Sequence, residues 1–110
     1  MYGKNGTMIL VTGAAGKTGR AVIEKLVAGG QPVRAFVRRR EQEVALEKMG
    51  VQEVVVGDLC QQATMNQAVH GARAVYHICP NMHPDELQIG EVVIRAARLA
   101  GVEHFVYHSV

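Results

Sequence analysis

The chain contains no tryptophan, and among its 110 residues it has only two cysteines and three prolines. Cys60 and Cys79 lack the Cys-x-x-Cys spacing and a neighbouring ligand cluster, so we expect reduced packing thiols rather than a disulfide framework. The five histidines are scattered and lack the His-Glu-x-x-His spacing of a zinc site; we expect packing or surface residues. The sequence therefore predicts no metal site.

Long apolar runs and an excess of one charge are also missing. No stretch approaches the roughly 20 apolar residues of a membrane span, and the N-terminus lacks the long apolar core of a signal peptide. The net charge of +2 is close to neutral, so it predicts no general attraction to nucleic acid or to membranes. We therefore expect a soluble, cytoplasmic protein with a single domain, residues 1–110.

Glycine, by contrast, is abundant, and three of the twelve glycines follow a short apolar run, Met8–Val11, with the spacing G-x-x-G-x-x-G. Gly13 would make the tight bend after the strand, Gly16 would let the backbone approach a pyrophosphate, and Gly19 would lie where the next helix packs on the strand. The unpaired amides and positive dipole of that helix start favour an anion. The spacing predicts a dinucleotide-binding turn; the alternative is a purely structural turn.

Apolar patterns of strand and helix type alternate along the whole chain. Beyond the first, the predicted strands are Val33–Val37, Val51–Val56, Ala74–Cys79 and His104–His108. The predicted helices follow the glycine turn, cover Glu41–Met49 and 61–70, and run from Pro84 to Gly101. This alternation predicts an α/β fold, a doubly wound parallel sheet of Rossmann type with strand order 3-2-1-4-5. Its ligand crevice would lie at the carboxyl ends of strands one and four.

The end of the second predicted strand bears on the choice of cofactor. An NAD site usually has Asp or Glu about 20 residues beyond the glycines, and this chain has Arg38 there. A guanidinium can hold a 2′-phosphate through two parallel hydrogen bonds, with Lys17 nearby in the glycine turn. The alternative is a solvated basic loop, which is the interpretation we prefer for Arg39 and Arg40. The sequence therefore favours NADP(H) over NAD(H).

Five segments together resemble successive blocks of the NmrA-like branch of the atypical short-chain dehydrogenase/reductases. They are Val11–Arg20, Val33–Arg38, Gly57–Leu59, Val75–Ile78 and Gly101–Ser109. The resemblance covers essentially the whole chain and is much more specific than the glycines alone. It implies the N-terminal, nucleotide-binding part of a longer fold, truncated after strand five.

The resemblance also implies cofactor-binding residues. In the glycine turn these are Gly13, Ala15, Gly16, Lys17, Thr18 and Gly19. Asp58 would lie beside the adenine amino group with Leu59 behind the ring, although an Asp here could equally cap the following helix. Ile78, Cys79 and Pro80 would line the ribose and nicotinamide side, and a buried apolar strand end would explain them equally well.

Catalytic residues are harder to predict. Reductases of this superfamily generally use a Tyr-x-x-x-Lys pair, and none of Tyr2, Tyr76 and Tyr107 has a lysine four residues on. Ser109 falls where many relatives keep a catalytic or substrate-orienting hydroxyl; the alternative is that it only terminates a strand. One hypothesis is a reductase domain that passes hydride from NADPH to a small quinone, dye or carbonyl compound. The alternative is a non-catalytic NADP(H) sensor that binds a protein partner, and a third hypothesis is a structural fragment that is stable only with a partner chain. The expected partners are a nicotinamide dinucleotide, a small-molecule substrate, and either a protein partner or further copies of the chain in a homo-oligomer.

Overall fold

The computed structural model of the chain describes residues 8–79 and 86–109. Its five strands are β1 (Met8–Val11), β2 (Val33–Val37), β3 (Glu53–Val56), β4 (Ala72–Cys79) and β5 (His104–Ser109). Its four α-helices are α1 (Lys17–Ala28), α2 (Glu43–Lys48), α3 (Gln62–Val69) and α4 (Glu86–Ala100), and a 3-10 helix (Arg40–Gln42) precedes α2. No helix in these two described ranges is long and apolar enough to cross a membrane.

All strand pairs are parallel, and the strand order is β3-β2-β1-β4-β5, which confirms the predicted Rossmann-type sheet. The order reverses at β1, because the chain moves outward through β2 to β3 and then returns to the other side of β1 as β4. The carboxyl ends of β1 and β4 therefore flank the crevice in which this class of sheet binds its ligands.

Helices cover both faces of the sheet, so the central strands are buried on both sides. In β1, Ile9 and Val11 pack in one core with Ile23 of α1 and Leu46 of α2. Leu10, between them, points to the opposite face and belongs to a second core. That second core includes Phe36, Met65, Val69, Val75, Ile89 and Val93. This two-sided burial explains why the strands read as unbroken apolar runs rather than as alternating patterns.

The structure corrects several predicted boundaries. β3 begins at Glu53 instead of Val51, which packs against the α1 and α2 core before the strand starts. β4 begins at Ala72 instead of Ala74, because a register shift between Met8 and Ile9 accommodates one extra residue and extends the pairing. β5 continues to Ser109. The helix expected over 41–49 is divided into the 3-10 helix and α2, and the predicted start of α4 at Pro84 lies outside the described residues.

Candidate functional site

Gly13 makes the bend that follows β1. Its φ angle is +61°, in the left-handed region that side chains avoid, and a Cβ atom there would lie 2.4 Å from the carbonyl oxygen of Ile78. Backbone conformation and steric contact therefore both require glycine at this position. The short distance also means that the glycine turn lies directly against the carboxyl end of β4.

Gly19 and Gly16 differ in what surrounds them. A Cβ atom on Gly19 would lie 2.1 Å from the Gly13 carbonyl oxygen and 2.8 Å from Cα of Ala14, so α1 can pack this closely on the turn only without a side chain. A Cβ atom on Gly16 would have the Gly13 oxygen as its nearest neighbour, at an ordinary 3.5 Å, and φ at Gly16 is −78°. The fold of the described residues thus requires glycine at 13 and 19 but not at 16.

The start of α1 carries unpaired backbone donors. The first helical bond of α1 runs from the Arg20 amide to the Gly16 carbonyl oxygen, at 2.9 Å, which leaves the amides of Lys17, Thr18 and Gly19 without partners inside the helix. Among the described residues, no side chain caps this end and no acidic residue occupies the first turn. The positive end of the helix dipole is therefore not neutralised locally.

A cavity of about 420 Å³ opens beside this helix start. It lies at the carboxyl ends of β1, β2 and β4, which is where the strand order reverses. Its wall consists of the whole glycine turn, residues 13–19, and of Phe36, Val37, Arg38, Arg39, Gln42, Leu59 and Ile78. Its size falls in the range of small-molecule and cofactor sites.

The charge on the cavity wall has one sign. Lys17, Arg38 and Arg39 line the cavity with exposed side chains, and none of its lining residues in the described part of the chain is Asp or Glu. Three cationic groups and the end of α1 therefore act on the same space. Such a cavity favours a ligand with more than one anionic group.

Several predicted site residues come together in this cavity and others do not. Gly13, Ala15, Gly16, Lys17, Thr18, Gly19, Arg38, Leu59 and Ile78 all line it. Cys79 ends β4, where its backbone is in register with Ser109 at the end of β5. Pro80 lies outside the described residues. The neighbouring strand ends place Ser109 at the same carboxyl edge of the sheet as the glycine turn.

Asp58 is exposed and is not part of the cavity wall. Its Oδ1 accepts a hydrogen bond from the Cys60 amide at 2.8 Å, and its carbonyl oxygen accepts one from the Gln61 amide at 3.1 Å. The residue that precedes α3 is Gln61, and no side chain caps α3 within the described residues. The capping alternative is therefore wrong: Asp58 stabilises the turn before α3 instead of the helix itself. Its contact with adenine stays a prediction.

Sequence reasoning missed five residues of the cavity wall: Ala14, Phe36, Val37, Gln42 and Arg39, the last of which it assigned to a solvated loop. Gln42 is brought back by the 3-10 helix, since its Oε1 accepts a hydrogen bond from the Arg39 amide at 3.1 Å and its own amide donates to the Arg39 carbonyl oxygen at 3.0 Å. Gln42 is a single polar residue among charged ones, and no local sequence pattern indicates that it returns to the cavity. Phe36 and Val37 were recognised only as strand residues.

A buried polar contact was also missed. Thr12 and His77 are both fully buried, and Thr12 Oγ1 lies 2.8 Å from His77 Nδ1. Burial lowers the pKa of His77 to about 4, although the charge of Glu86 acts in the opposite direction. His77 is therefore neutral at pH 7. No three His, Cys, Asp or Glu side chains are grouped as a metal site in the ranges that the structure describes.

Comparisons with known proteins agree with this geometry. Residues 5–110 match the NmrA-like family. The NAD(P)H azoreductase of Xenophilus azovorans is 37% identical over 99 residues, which cover 90% of this chain and 34% of that protein.

Solved structures resemble the chain over a similar extent. The NADPH-dependent quinone oxidoreductase of Escherichia coli, complexed with NADPH, superimposes with a TM-score of 0.81 at 31% identity. The match covers 91% of this chain and 36% of the oxidoreductase chain. The Citrobacter triphenylmethane reductase, complexed with NADP(H), gives a TM-score of 0.78 at 35% identity, with 91% and 36% covered. The chain spans about a third of the length of these relatives. Sequence and fold together show that this chain belongs to the NmrA-like family.

Proposed function

We propose that this chain is the NADP(H)-binding part of a reductase that acts on a small quinone, dye or carbonyl compound. The observation that carries the proposal is Gly16, a glycine that its own fold does not require. It lies at an uncapped helix start, beside a cavity whose charged residues are all cationic. A ligand backbone or phosphate that approaches the chain closely at this point gives a reason for its missing side chain.

Each anionic group of NADP(H) would have a cationic or amide partner in this cavity. The pyrophosphate would bind the free amides at the start of α1. The 2′-phosphate would bind Arg38, with Arg39 or Lys17 as a second cation. Leu59 would contact the adenine ring, with Asp58 beside its amino group as the resemblance implies. Ile78, Cys79 and Pro80 would then border the ribose and nicotinamide.

When bound, NADPH supplies a hydride. The chain's own contribution would be to bind and orient the cofactor at the carboxyl edge of the sheet, and Ser109 is our candidate for orienting a substrate there. The relatives support this assignment because one is an NAD(P)H azoreductase, and the quinone oxidoreductase and the triphenylmethane reductase were both crystallised with the cofactor.

Calorimetric titration of the chain with NADPH and NADH tests the cofactor assignment. We expect tighter binding of NADPH, and Arg38→Ala should reduce its affinity about tenfold or more while changing NADH binding little. Arg40→Ala is the matched control, because it removes the same charge from a residue outside the cavity wall. Equal affinity for the two nucleotides, or equal effects of the two variants, would contradict the preference for NADP(H).

The sensor is the second candidate function, because binding of NADP(H) in the same cavity would serve it without any catalytic group. Absorbance at the NADPH band, followed with quinones and azo or triphenylmethane dyes, distinguishes the two candidates. A reductase that includes this domain oxidises NADPH with at least one of these acceptors. A sensor binds NADPH, oxidises none of it, and captures its protein partner only in the presence of the nucleotide.

A further inference from the structure

Thr12, the residue just before the glycine turn, is attached to β4 at three consecutive positions. The Thr12 amide donates to the Tyr76 carbonyl oxygen at 3.0 Å, Thr12 Oγ1 lies 2.8 Å from His77 Nδ1, and the Ile78 amide donates to the same Oγ1 at 2.9 Å. Thr12 immediately precedes Gly13, whose position is limited by the Ile78 carbonyl oxygen. The place of the whole turn therefore depends on how the Thr12 hydroxyl is oriented.

The available partners decide which nitrogen of His77 carries the proton. The Ile78 amide can only donate, so Thr12 Oγ1 accepts there. If the Thr12 hydroxyl donates to Nδ1, only Nε2–H lacks a hydrogen-bond partner among the described residues. If Nδ1 donated instead, both the Thr12 hydroxyl proton and the Nε2 lone pair would lack one. The first arrangement leaves fewer buried polar groups unsatisfied, so the proton lies on Nε2.

The environment of the other side of the ring is aromatic. The His77 ring lies 5.3 Å from the Tyr107 ring in an edge-on arrangement and 6.4 Å from the Phe105 ring. An apolar residue would fill this space without leaving an unsatisfied N–H, which costs stability when it is buried. What His77 adds, and an apolar residue could not, is a fixed acceptor for the Thr12 hydroxyl proton.

We propose that His77, as the Nε2–H tautomer, is a positioning residue for the cofactor-binding turn. Its Nδ1 holds the Thr12 hydroxyl proton, so that the Thr12 oxygen keeps a lone pair aimed at the Ile78 amide and the turn keeps its distance from β4. His77 itself is not part of the cavity wall. This inference rests on the proposed function, because it concerns how the same turn binds NADPH.

NADPH titrations of His77 variants test the proposal. His77→Leu removes the acceptor and should weaken NADPH binding about five- to tenfold. His77→Asn, whose side-chain oxygen can replace Nδ1, should restore affinity to within about threefold of wild type. Thr12→Val should match His77→Leu, and the double variant should be no weaker than either single variant.

A control separates positioning from general destabilisation. Val93→Ala opens a cavity in the core formed with α4, away from the turn, and should lower the melting temperature without changing NADPH affinity. Unchanged affinity in His77→Leu, or additive losses in the double variant, would overturn the inference. Failure of the wild-type chain to bind NADPH would instead contradict the proposed function.

A measurement on the wild-type chain remains informative if the variants do not fold. Long-range ¹⁵N–¹H correlation spectra of the histidines distinguish the two neutral tautomers from the charged ring. We expect His77 with a protonated Nε2 and an unprotonated Nδ1 at pH 7. A proton on Nδ1, or a doubly protonated ring, would refute the proposed orientation of Thr12.

Discussion

At the residue scale, the three glycines of the turn look equivalent in sequence and are not equivalent in structure. A side chain on Gly13 or Gly19 would collide with the chain itself, whereas a Cβ atom on Gly16 would make only one ordinary contact. The glycines that the fold requires and the glycine that we propose for binding can therefore be separated by substitution. The same distinction applies to the arginines, because Arg38 and Arg39 line the cavity and Arg40 does not.

Alanine substitutions at Gly16 and Gly19 should affect different properties, NADPH binding in the first case and stability in the second. Gly16→Ala should leave the free energy of unfolding within about 0.5 kcal/mol of wild type, because the added methyl meets only ordinary contacts, and should weaken NADPH binding about tenfold or more. Gly19→Ala should lower the free energy of unfolding by about 3 kcal/mol through overpacking against the turn. Urea denaturation and calorimetric titration measure the two quantities. A Gly16→Ala chain that binds NADPH normally would contradict the pyrophosphate assignment.

The buried His77 predicts how stability depends on pH. Its pKa is lowered from 6.5 to about 4 in the folded chain, so the unfolded chain takes up this proton first as the pH falls. The stability that neutral His77 contributes to the folded chain is fully present above about pH 6.5 and is lost as the pH falls from about 6.5 to 4. Across that window the free energy of unfolding should decrease by about 3 kcal/mol. Urea denaturation at several pH values gives the free energy of unfolding of the wild type and of His77→Asn. Their difference isolates the contribution of His77, because all other groups titrate in both chains. Parallel pH dependences in the two chains would contradict the prediction.

At the element scale, Arg34 of β2 connects the sheet to the end of α3. Its Nη1 donates to the carbonyl oxygens of Ala68 at 2.6 Å and of His70 at 2.8 Å, and its Nε pairs with Glu53 of β3. The last carbonyl groups of a helix have no partners inside it, so Arg34 satisfies groups that α3 leaves free. This connection holds the carboxyl end of α3 against the sheet.

Replacing Arg34 should therefore lower the free energy of unfolding more than replacing its ion-pair partner, Glu53. Arg34→Met keeps the aliphatic stem and should lower the free energy of unfolding by about 2–3 kcal/mol, because two helix carbonyls lose a charged donor. Glu53→Gln should cost less than about 1 kcal/mol, since that side chain is 48% exposed. Urea denaturation of both variants decides this, and similar losses would mean that the ion pair is the main interaction.

At the scale of the whole molecule, the two edges of the sheet are unlike. β3 is four residues long, and its first residue is the charged Glu53. β5 is six residues long, and Val106 and Tyr107 are 38% and 42% exposed. Short or charged edge strands resist pairing with other chains, and long apolar ones promote it. The β5 edge is thus the part of the described surface where we expect the chain to associate with itself.

Sedimentation velocity at several protein concentrations tests this expectation. Over about 1–100 µM we expect an increasing sedimentation coefficient, because association follows mass action. Val106→Lys should shift the chain towards the monomer by placing a charge on the edge. Val44→Lys is the matched control, because Val44 is also exposed but lies on α2, which contacts β3 at the opposite side of the sheet from β5. Equal effects of the two lysines would show that net charge, and not the β5 edge, controls association.

The sequence alone determined the fold and the edge of the sheet at which the candidate site lies. Apolar runs and glycine spacing are local properties, so the predicted bounds of β1 and β2 agree with the structure, and the alternation of elements was enough to predict the strand order. The glycine turn could be recognised for the same reason. The binding role that we propose for it rests on the general rule that parallel sheets bind ligands at their carboxyl ends.

Only the tertiary structure decided which side chains share that site and how they are held. Thr12 and His77 are 65 positions apart, and no local pattern indicates that their side chains meet. The return of Gln42 to the cavity depends on a 3-10 helix, and the turn bond of Asp58 depends on where α3 begins. Periodicity fixes which face a residue occupies, whereas contacts between distant elements depend on register and packing, which exist only once the sheet and helices have assembled.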